Sequence, residues 1–131
     1  MIGLDTNILV RYITLDDPTQ ASRAAHIIEQ QFNADEPAFL SLVTIVELAW
    51  VLDSFYEFTG AQIAAAIERI LGIPALSVQN EREVYTAMVA LRTGAASFDD
   101  ALIGALGRWA GCSTTFTFDR KAARLPGFQL A

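Results

Sequence analysis

The sequence has few of the side chains on which several common kinds of chemistry depend. It holds one cysteine, Cys112, which excludes an internal disulfide and a multi-cysteine zinc site. Its one histidine, His26, falls in a helical pattern far from any candidate nucleophile. We interpret His26 as a helix-face residue and do not expect histidine-based catalysis.

Long apolar runs are also missing. None approaches the roughly 18 residues of a membrane span, and the N-terminus lacks the basic region and small-residue cleavage site of a signal peptide. We therefore expect a cytoplasmic protein with no membrane partner. A chain of 131 residues is about one domain long, so we expect a single domain over residues 1–131 with a real core.

Charge is scarce and unevenly placed. Charged residues make up 18% of the chain, below the usual value of roughly 25%, and hydrophobic residues make up 53%. The net charge of −6 argues against nonspecific nucleic-acid binding, which depends on basic patches. Residues 106–131 nevertheless hold four basic side chains against one acid. The apolar excess predicts a surface that faces a partner.

Asp5 is the only charged residue in the apolar stretch from Ile2 to Val10. The pattern predicts a short strand that stops at Asp5 and turns into a helix near Asn7. An ionised carboxylate in such a place is either exposed at the end of the strand or held by a cation or by hydrogen-bond donors. Two interpretations stay open: a ligand site at the carboxyl end of a strand, or an ordinary helix cap.

Short strands and helices alternate along the rest of the chain. This order predicts an α/β fold with a short parallel sheet and helices on both faces. The predicted helices run over residues 18–31, 41–55, 60–72, 80–94, 97–111 and 120–125, and the predicted strands over residues 38–40, 74–78, 114–118 and 128–130.

Three further acids fall at unusual places. Glu47 is the only charge between Pro37 and Leu52, and its helical neighbours are apolar, so we expect no easy exit to water and a role in a site. Asp100 has capping-box spacing from Ser97 but shares a helix face with two glycines, which predicts close approach of another backbone and an inward carboxylate. Asp119 directly follows the predicted strand over residues 114–118.

Four carboxylates that converge cannot all ionise without a cation. Oxygen ligands of this kind select Mg²⁺ or Mn²⁺, which support chemistry on phosphates. Each acid also has an ordinary structural explanation as a cap or a solvated side chain. All four of these explanations must hold together for the site to be absent.

Four segments resemble the PIN-domain family, and within it the VapC-type toxins of toxin–antitoxin pairs. They lie in the family's order and spacing and cover nearly the whole chain: Met1–Asn7, Ser41 with Thr44 and Glu47, Asp99–Ile103, and Thr117–Lys121. Each motif alone is weakly specific, and together they are specific. The resemblance implies a single PIN-like domain.

The resemblance also implies a function and a set of site residues. It implies an endoribonuclease that uses Mg²⁺ or Mn²⁺, with an acidic quartet, supporting polar groups, a cognate antitoxin and a homodimer. The quartet is Asp5, Glu47, Asp100 and Asp119; the supporting groups are Thr6, Asn7 and Thr117. The chain departs from the family pattern near Ser97 and has an extra acid, Asp99, which is a possible substitute for Asp100.

Recognition of RNA rather than DNA rests on the resemblance alone. We expect single-stranded or loop RNA, because its bases are accessible, and we expect Arg120, Lys121 and Arg124 to offset the repulsion between RNA and the acids. One alternative is another Mg²⁺-dependent phosphoryl hydrolase, such as a phosphatase with Asp5 as nucleophile, although Asn7 stands where its second acid belongs. The other alternative is a catalytically silent PIN-like binding module.

A cluster of aromatic residues supports the expectation of partners. Too many of them surround the second and third helices for all to be internal, so we expect exposed patches that form an interface. The resemblance implies that an antitoxin segment lies as an amphipathic helix or an extended strand along a groove between the N-terminal helices. The cluster consists of Phe32, Phe39, Trp50, Phe55, Tyr56 and Phe58.

Overall fold

The computed structural model describes all residues, 1–131, and shows six α-helices, four short strands and one 3-10 helix. The helices are α1 (Thr6–Thr14), α2 (Pro18–Gln30), α3 (Leu42–Ser54), α4 (Gly60–Leu71), α5 (Glu81–Arg92) and α6 (Phe98–Trp109); the strands are β1 (Ala38–Leu40), β2 (Leu76–Val78), β3 (Thr115–Thr117) and β4 (Phe128–Leu130). The 3-10 helix spans Ala122–Arg124. All strand pairings are parallel, which confirms the predicted α/β class. No helix is long and apolar enough to cross a membrane.

Several helices begin directly after a residue whose side chain caps them. Asp17 accepts a hydrogen bond from the Gln20 backbone N–H at 3.0 Å with Pro18 at the first helical position, as predicted. A capping box that the sequence analysis did not anticipate joins Thr59 and Gln62 at the start of α4. The predicted helix over residues 120–125 is a single 3-10 turn.

The chain divides into two compact units, residues 1–81 and residues 82–131. In the first unit, α1 packs against α2 and α3, and α3 packs against α4. These contacts bury an aliphatic core, whose largest fully buried members in the unit include Leu9, Ile28, Leu40, Ile45, Leu48, Leu52, Ile67 and Ile70. Burying one such side chain contributes roughly 1.5–3 kcal/mol.

The sheet of the first unit is built on β1. Leu40 pairs with Val78 of β2, while on the other side Phe39 forms a single parallel bridge with Gly3. The Phe39 N–H donates to the Ile2 carbonyl at 2.8 Å, and the Leu4 N–H donates to the Phe39 carbonyl at 3.1 Å. The predicted first strand is therefore reduced to one bridge, immediately before Asp5.

The second unit pairs β3 with β4, in the register Thr115 with Phe128. Two glycines on one face of α6 leave room for this pair. A Cβ at Gly104 would overlap the Phe128 ring, and a Cβ at Gly107 would lie 2.8 Å from Thr115 Oγ1. The prediction of a close backbone approach to this face was therefore wrong in detail, since side chains of the strands fill the space.

Candidate metal centre

Of the two roles that its sequence context allowed, Asp5 has that of a helix cap, and its role as a ligand stays a prediction. It is the N-cap of α1, and its Oδ1 accepts a hydrogen bond from the Thr6 N–H at 2.7 Å. The side chain is exposed, whereas Thr6 is buried and Asn7 is exposed. One carboxylate oxygen is thus fixed by the backbone, and Oδ2 has no hydrogen-bond partner in the structure.

Glu47 does not lie in the apolar environment that its neighbours in sequence suggested. It is exposed on α3, so the prediction that it lacks an exit to water was wrong. The reason is that Val43 and Trp50, one turn before and after it, are themselves 75% and 58% exposed. Glu47 makes no ion pair, because the one salt bridge in the structure joins other residues.

Asp5 and the start of α3 share the carboxyl edge of the first unit's sheet. The parallel bridge aligns Gly3 with Phe39, so Asp5 and Ser41 each follow the aligned pair by two residues. Ser41 caps α3 through the Thr44 N–H at 3.2 Å. Glu47 follows Leu42 by about one and a half turns, which places it about 7.5 Å farther along the helix axis.

A positioning residue that the sequence analysis missed, Gln79, ends the neighbouring strand at the same edge. Its Oε1 accepts a hydrogen bond from the Leu42 N–H at 3.0 Å, and its own N–H donates to the Leu40 carbonyl at 2.9 Å. Gln79 therefore ties the end of β2 to the start of α3. Its position one residue after a predicted strand was the only signal in the sequence.

In the second unit, Asp119 stands just after β3. Its Oδ1 accepts hydrogen bonds from the Lys121 N–H at 2.8 Å and from the Ala122 N–H at 3.3 Å. Its N–H donates to Thr117 Oγ1 at 3.0 Å, so Thr117 orients the turn. As at Asp5, backbone amides fix one oxygen of an exposed carboxylate, and Oδ2 has no partner.

Asp99 and Asp100 both lie in the first turn of α6. Ser97 caps this helix, accepting a hydrogen bond from the Asp100 N–H at 3.4 Å. Asp100 is partly buried and Asp99 is exposed. Neither carboxylate has a hydrogen bond or an ion pair, and the inward direction of Asp100 stays a prediction.

The acids of the proposed quartet have no cationic partner in the structure. Arg120, Lys121 and Arg124 are exposed and form no salt bridge. Neither unit by itself brings together three or more His, Cys, Asp or Glu side chains that could hold a metal ion. The available donors are carboxylate oxygens, which suit Mg²⁺ or Mn²⁺ and not a softer metal.

The strongest electrostatic perturbation lies elsewhere, at Asp16 after α1. Hydrogen bonds from the Tyr56 hydroxyl at 2.6 Å, from Thr14 Oγ1 at 2.8 Å and from Arg11 at 2.8 Å hold the pKa of this carboxyl well below its usual range. The hydrogen bond to Asp16 in turn raises the pKa of Arg11. This cluster links the end of α1 to the segment after α3.

The PIN domain family matches residues 2–127. The chain therefore belongs to the PIN-domain family, whose members are generally nucleases that need divalent metal ions. No curated protein and no solved structure matches the chain.

Proposed function

We propose that this PIN domain is a divalent-metal-dependent endoribonuclease and the VapC-type toxin of a type II toxin–antitoxin pair. The observation that best supports the metal site is the hydrogen bonding of two carboxylates. Asp5 and Asp119 each have one oxygen fixed by backbone N–H groups and the other oxygen free and exposed. A ligand held in this way loses little side-chain entropy when it binds a cation.

The proposed metal ligands are Asp5, Glu47, Asp100 and Asp119, with Thr6, Asn7, Thr117 and Asp99 as supporting groups. Bound there, Mg²⁺ or Mn²⁺ would polarise a phosphate oxygen and lower the pKa of a water molecule. The Thr6 N–H holds Asp5, and the hydroxyl of Thr117 holds the turn that carries Asp119. Glu47, which is free of hydrogen bonds, is available to bind or to orient the attacking water.

The substrate that we propose is single-stranded or loop RNA. The RNA backbone is repelled by a protein with a net charge of −6. Basic side chains near the acids must therefore offset that repulsion. Arg120, Lys121 and Arg124 lie one, two and five residues after Asp119, are exposed and have no acidic partner. These features support a basic rim next to the metal site.

Three parallel assays test the function. Purified protein is incubated with a single-stranded RNA, a single-stranded DNA of the same sequence and a phosphomonoester, each with Mg²⁺, Mn²⁺ or EDTA. We expect metal-dependent internal cleavage of the RNA. Asp5→Asn should abolish it, and Asp53→Asn is the matched control, because Asp53 is an exposed acid outside the quartet.

Each alternative result identifies a different function. Release of phosphate from the monoester without RNA cleavage would indicate a phosphoryl hydrolase. RNA binding without cleavage in either metal would indicate a silent binding module. Equal RNA cleavage by the wild type and by Asp5→Asn would reject the proposed quartet.

We also propose a homodimer and an antitoxin as protein partners. The α3 patch, formed by Val43, Trp50 and Phe55, is 58–75% exposed, and the rings of Trp50 and Phe55 make an edge-to-face contact at 5.5 Å. Exposed apolar patches of this kind mark interfaces. Glu47 lies on the same face as Val43 and Trp50, so an apolar antitoxin segment that also carries Arg or Lys could cover the patch and neutralise Glu47.

Light scattering and co-expression test these partners. We expect a dimer, and a stable complex with the small protein encoded by a neighbouring reading frame. Trp50→Ser should weaken whichever contact uses the α3 patch, whereas Trp109→Ser is the matched control, since Trp109 is 66% exposed on α6. A monodisperse monomer that binds no such protein would refute both partners and leave the nuclease proposal standing.

A further inference from the structure

A cleft of about 420 Å³ lies between α1 and α2, within the first unit. Its walls are Asn7, Ile8 and Arg11 from α1 and Gln20, Arg23 and Ala24 from α2. Such a volume is within the range of small-ligand sites. The cleft begins two residues after Asp5, and Arg11 is about 9 Å from Asp5 along the helix axis, taking the usual rise per residue.

The charge of the lining is opposite to that of the unit. Residues 1–81 contain eleven acidic and three basic side chains, yet no carboxylate lines the cleft. Two of the three basic residues, Arg11 and Arg23, do line it. The third, Arg69, is engaged elsewhere, since its guanidinium stacks on the Tyr12 ring at 4.7 Å.

Arg11, Gln20 and Arg23 each keep hydrogen-bond donors that no other residue uses. Arg11 donates through Nε to Gln20 Oε1 at 2.8 Å and through Nη1 to Asp16 at 2.8 Å, which leaves Nη2 without a partner. Because Gln20 uses its oxygen in this contact, its amide NH₂ remains a donor. Arg23 is exposed and has no hydrogen bond or ion pair, so its charge is not compensated.

The residues that line the cleft indicate which part of a nucleic acid binds there. No aromatic residue lines the cleft, so it offers no surface on which a base would stack. The unpaired Arg23 guanidinium, in the same cleft as Arg11 Nη2 and the Gln20 amide, suits the oxygens of a phosphate. We infer that this cleft binds a backbone phosphodiester of the RNA strand, next to the one that is cleaved; the identity of the strand rests on the proposed function.

The test uses Arg23→Gln, which removes the uncompensated charge and retains good helix propensity. Arg82→Gln is the matched control, because Arg82 is an exposed arginine that does not line the cleft. Binding of a fluorescent single-stranded oligoribonucleotide is measured by anisotropy over a range of salt concentrations, with Ca²⁺ in place of Mg²⁺. Wild-type cleavage in Mg²⁺ is measured separately.

We expect Arg23→Gln to weaken binding and to reduce the slope of log affinity against log salt by about 0.7, the value for one phosphate contact on a single strand. Arg82→Gln should keep the wild-type slope. The side-chain amide NMR signals of Asn7 and Gln20 should shift when the oligonucleotide is added to the wild type.

Each of the remaining outcomes would contradict either the inference or the nuclease proposal. An unchanged slope in Arg23→Gln, or Asn7 and Gln20 signals that shift with inorganic phosphate but not with the oligonucleotide, would overturn the inference. If the wild type cleaves RNA but the slope is unchanged, the cleft is wrong and the nuclease proposal stands. If the wild type does not cleave but the slope and the amide shifts behave as expected, the cleft stands as a phosphate-binding site for RNA, and the nuclease proposal fails together with the placement next to a cleaved bond.

Discussion

Substitutions of Asp5 distinguish its role as a helix cap from its proposed role as a metal ligand. Asparagine ranks with aspartate as an N-cap, so Asp5→Asn can keep the hydrogen bond from the Thr6 N–H. The variant loses a negative charge at a helix N-terminus, which costs about 0.3–1 kcal/mol. Asp5→Ala also loses the cap, at about 0.5–2 kcal/mol. We therefore expect a small loss of stability in the first variant and a larger one in the second.

The stabilisation that a bound cation provides is measured by urea unfolding with and without Mg²⁺ or Mn²⁺. A cation that binds only the folded state, at ten times its Kd, raises the free energy of unfolding of the wild type by about 1.4 kcal/mol. The free energy of unfolding of Asp5→Asn should rise little at the same cation concentration, and this variant should not cleave RNA. The reasoning is refuted if Asp5→Asn gains the full metal stabilisation, or if it loses as much stability as Asp5→Ala.

Three shorter predictions follow from other contacts. Asp100→Asn should abolish cleavage and Asp99→Asn should only reduce it; the reverse result in the RNA assay would exchange their roles. The depressed pKa of Asp16 contributes stability that is present above about pH 4, the unfolded value, and is lost as the pH falls toward the folded value, so urea midpoints at pH 5 and pH 3 should differ more in the wild type than in Asp16→Asn. Gly104→Ala should lower the free energy of unfolding by about 1–2 kcal/mol, because overlap with the Phe128 ring outweighs the gain in helix propensity, and Phe128→Leu should restore much of it.

Local patterns predicted the elements well because their determinants are local. The apolar spacing of Ala21, Ala24 and Ile28 and the Asp17–Pro18 start defined α2, and β4 falls on the predicted residues 128–130. The first strand was predicted less well. A parallel strand is held by partners distant in sequence, and residues 2–4 make only one bridge.

Side-chain exposure was the least predictable property. The apolar neighbours of Glu47 suggested burial, yet α3 leaves Val43 and Trp50 in solvent. Periodicity shows which residues share a helix face, and it does not show whether that face meets the core or a partner. The same limit applies to the aromatic cluster, in which Trp50 and Phe55 are exposed while Phe32 and Phe58 are partly buried.

A cation at these carboxylates is therefore not required by burial, although the sequence suggested that it would be. Burial of an unpaired charge would have required a partner, but Asp5, Glu47 and Asp119 are exposed and water can solvate them. What favours a metal is the membership of the chain in a family of metal-dependent nucleases, together with carboxylates whose free oxygens are already oriented by backbone amides. A cap and a ligand are then not rival roles for Asp5, since the oxygen used for one leaves the second oxygen available for the other. Asp5→Asn removes this second role while keeping the first.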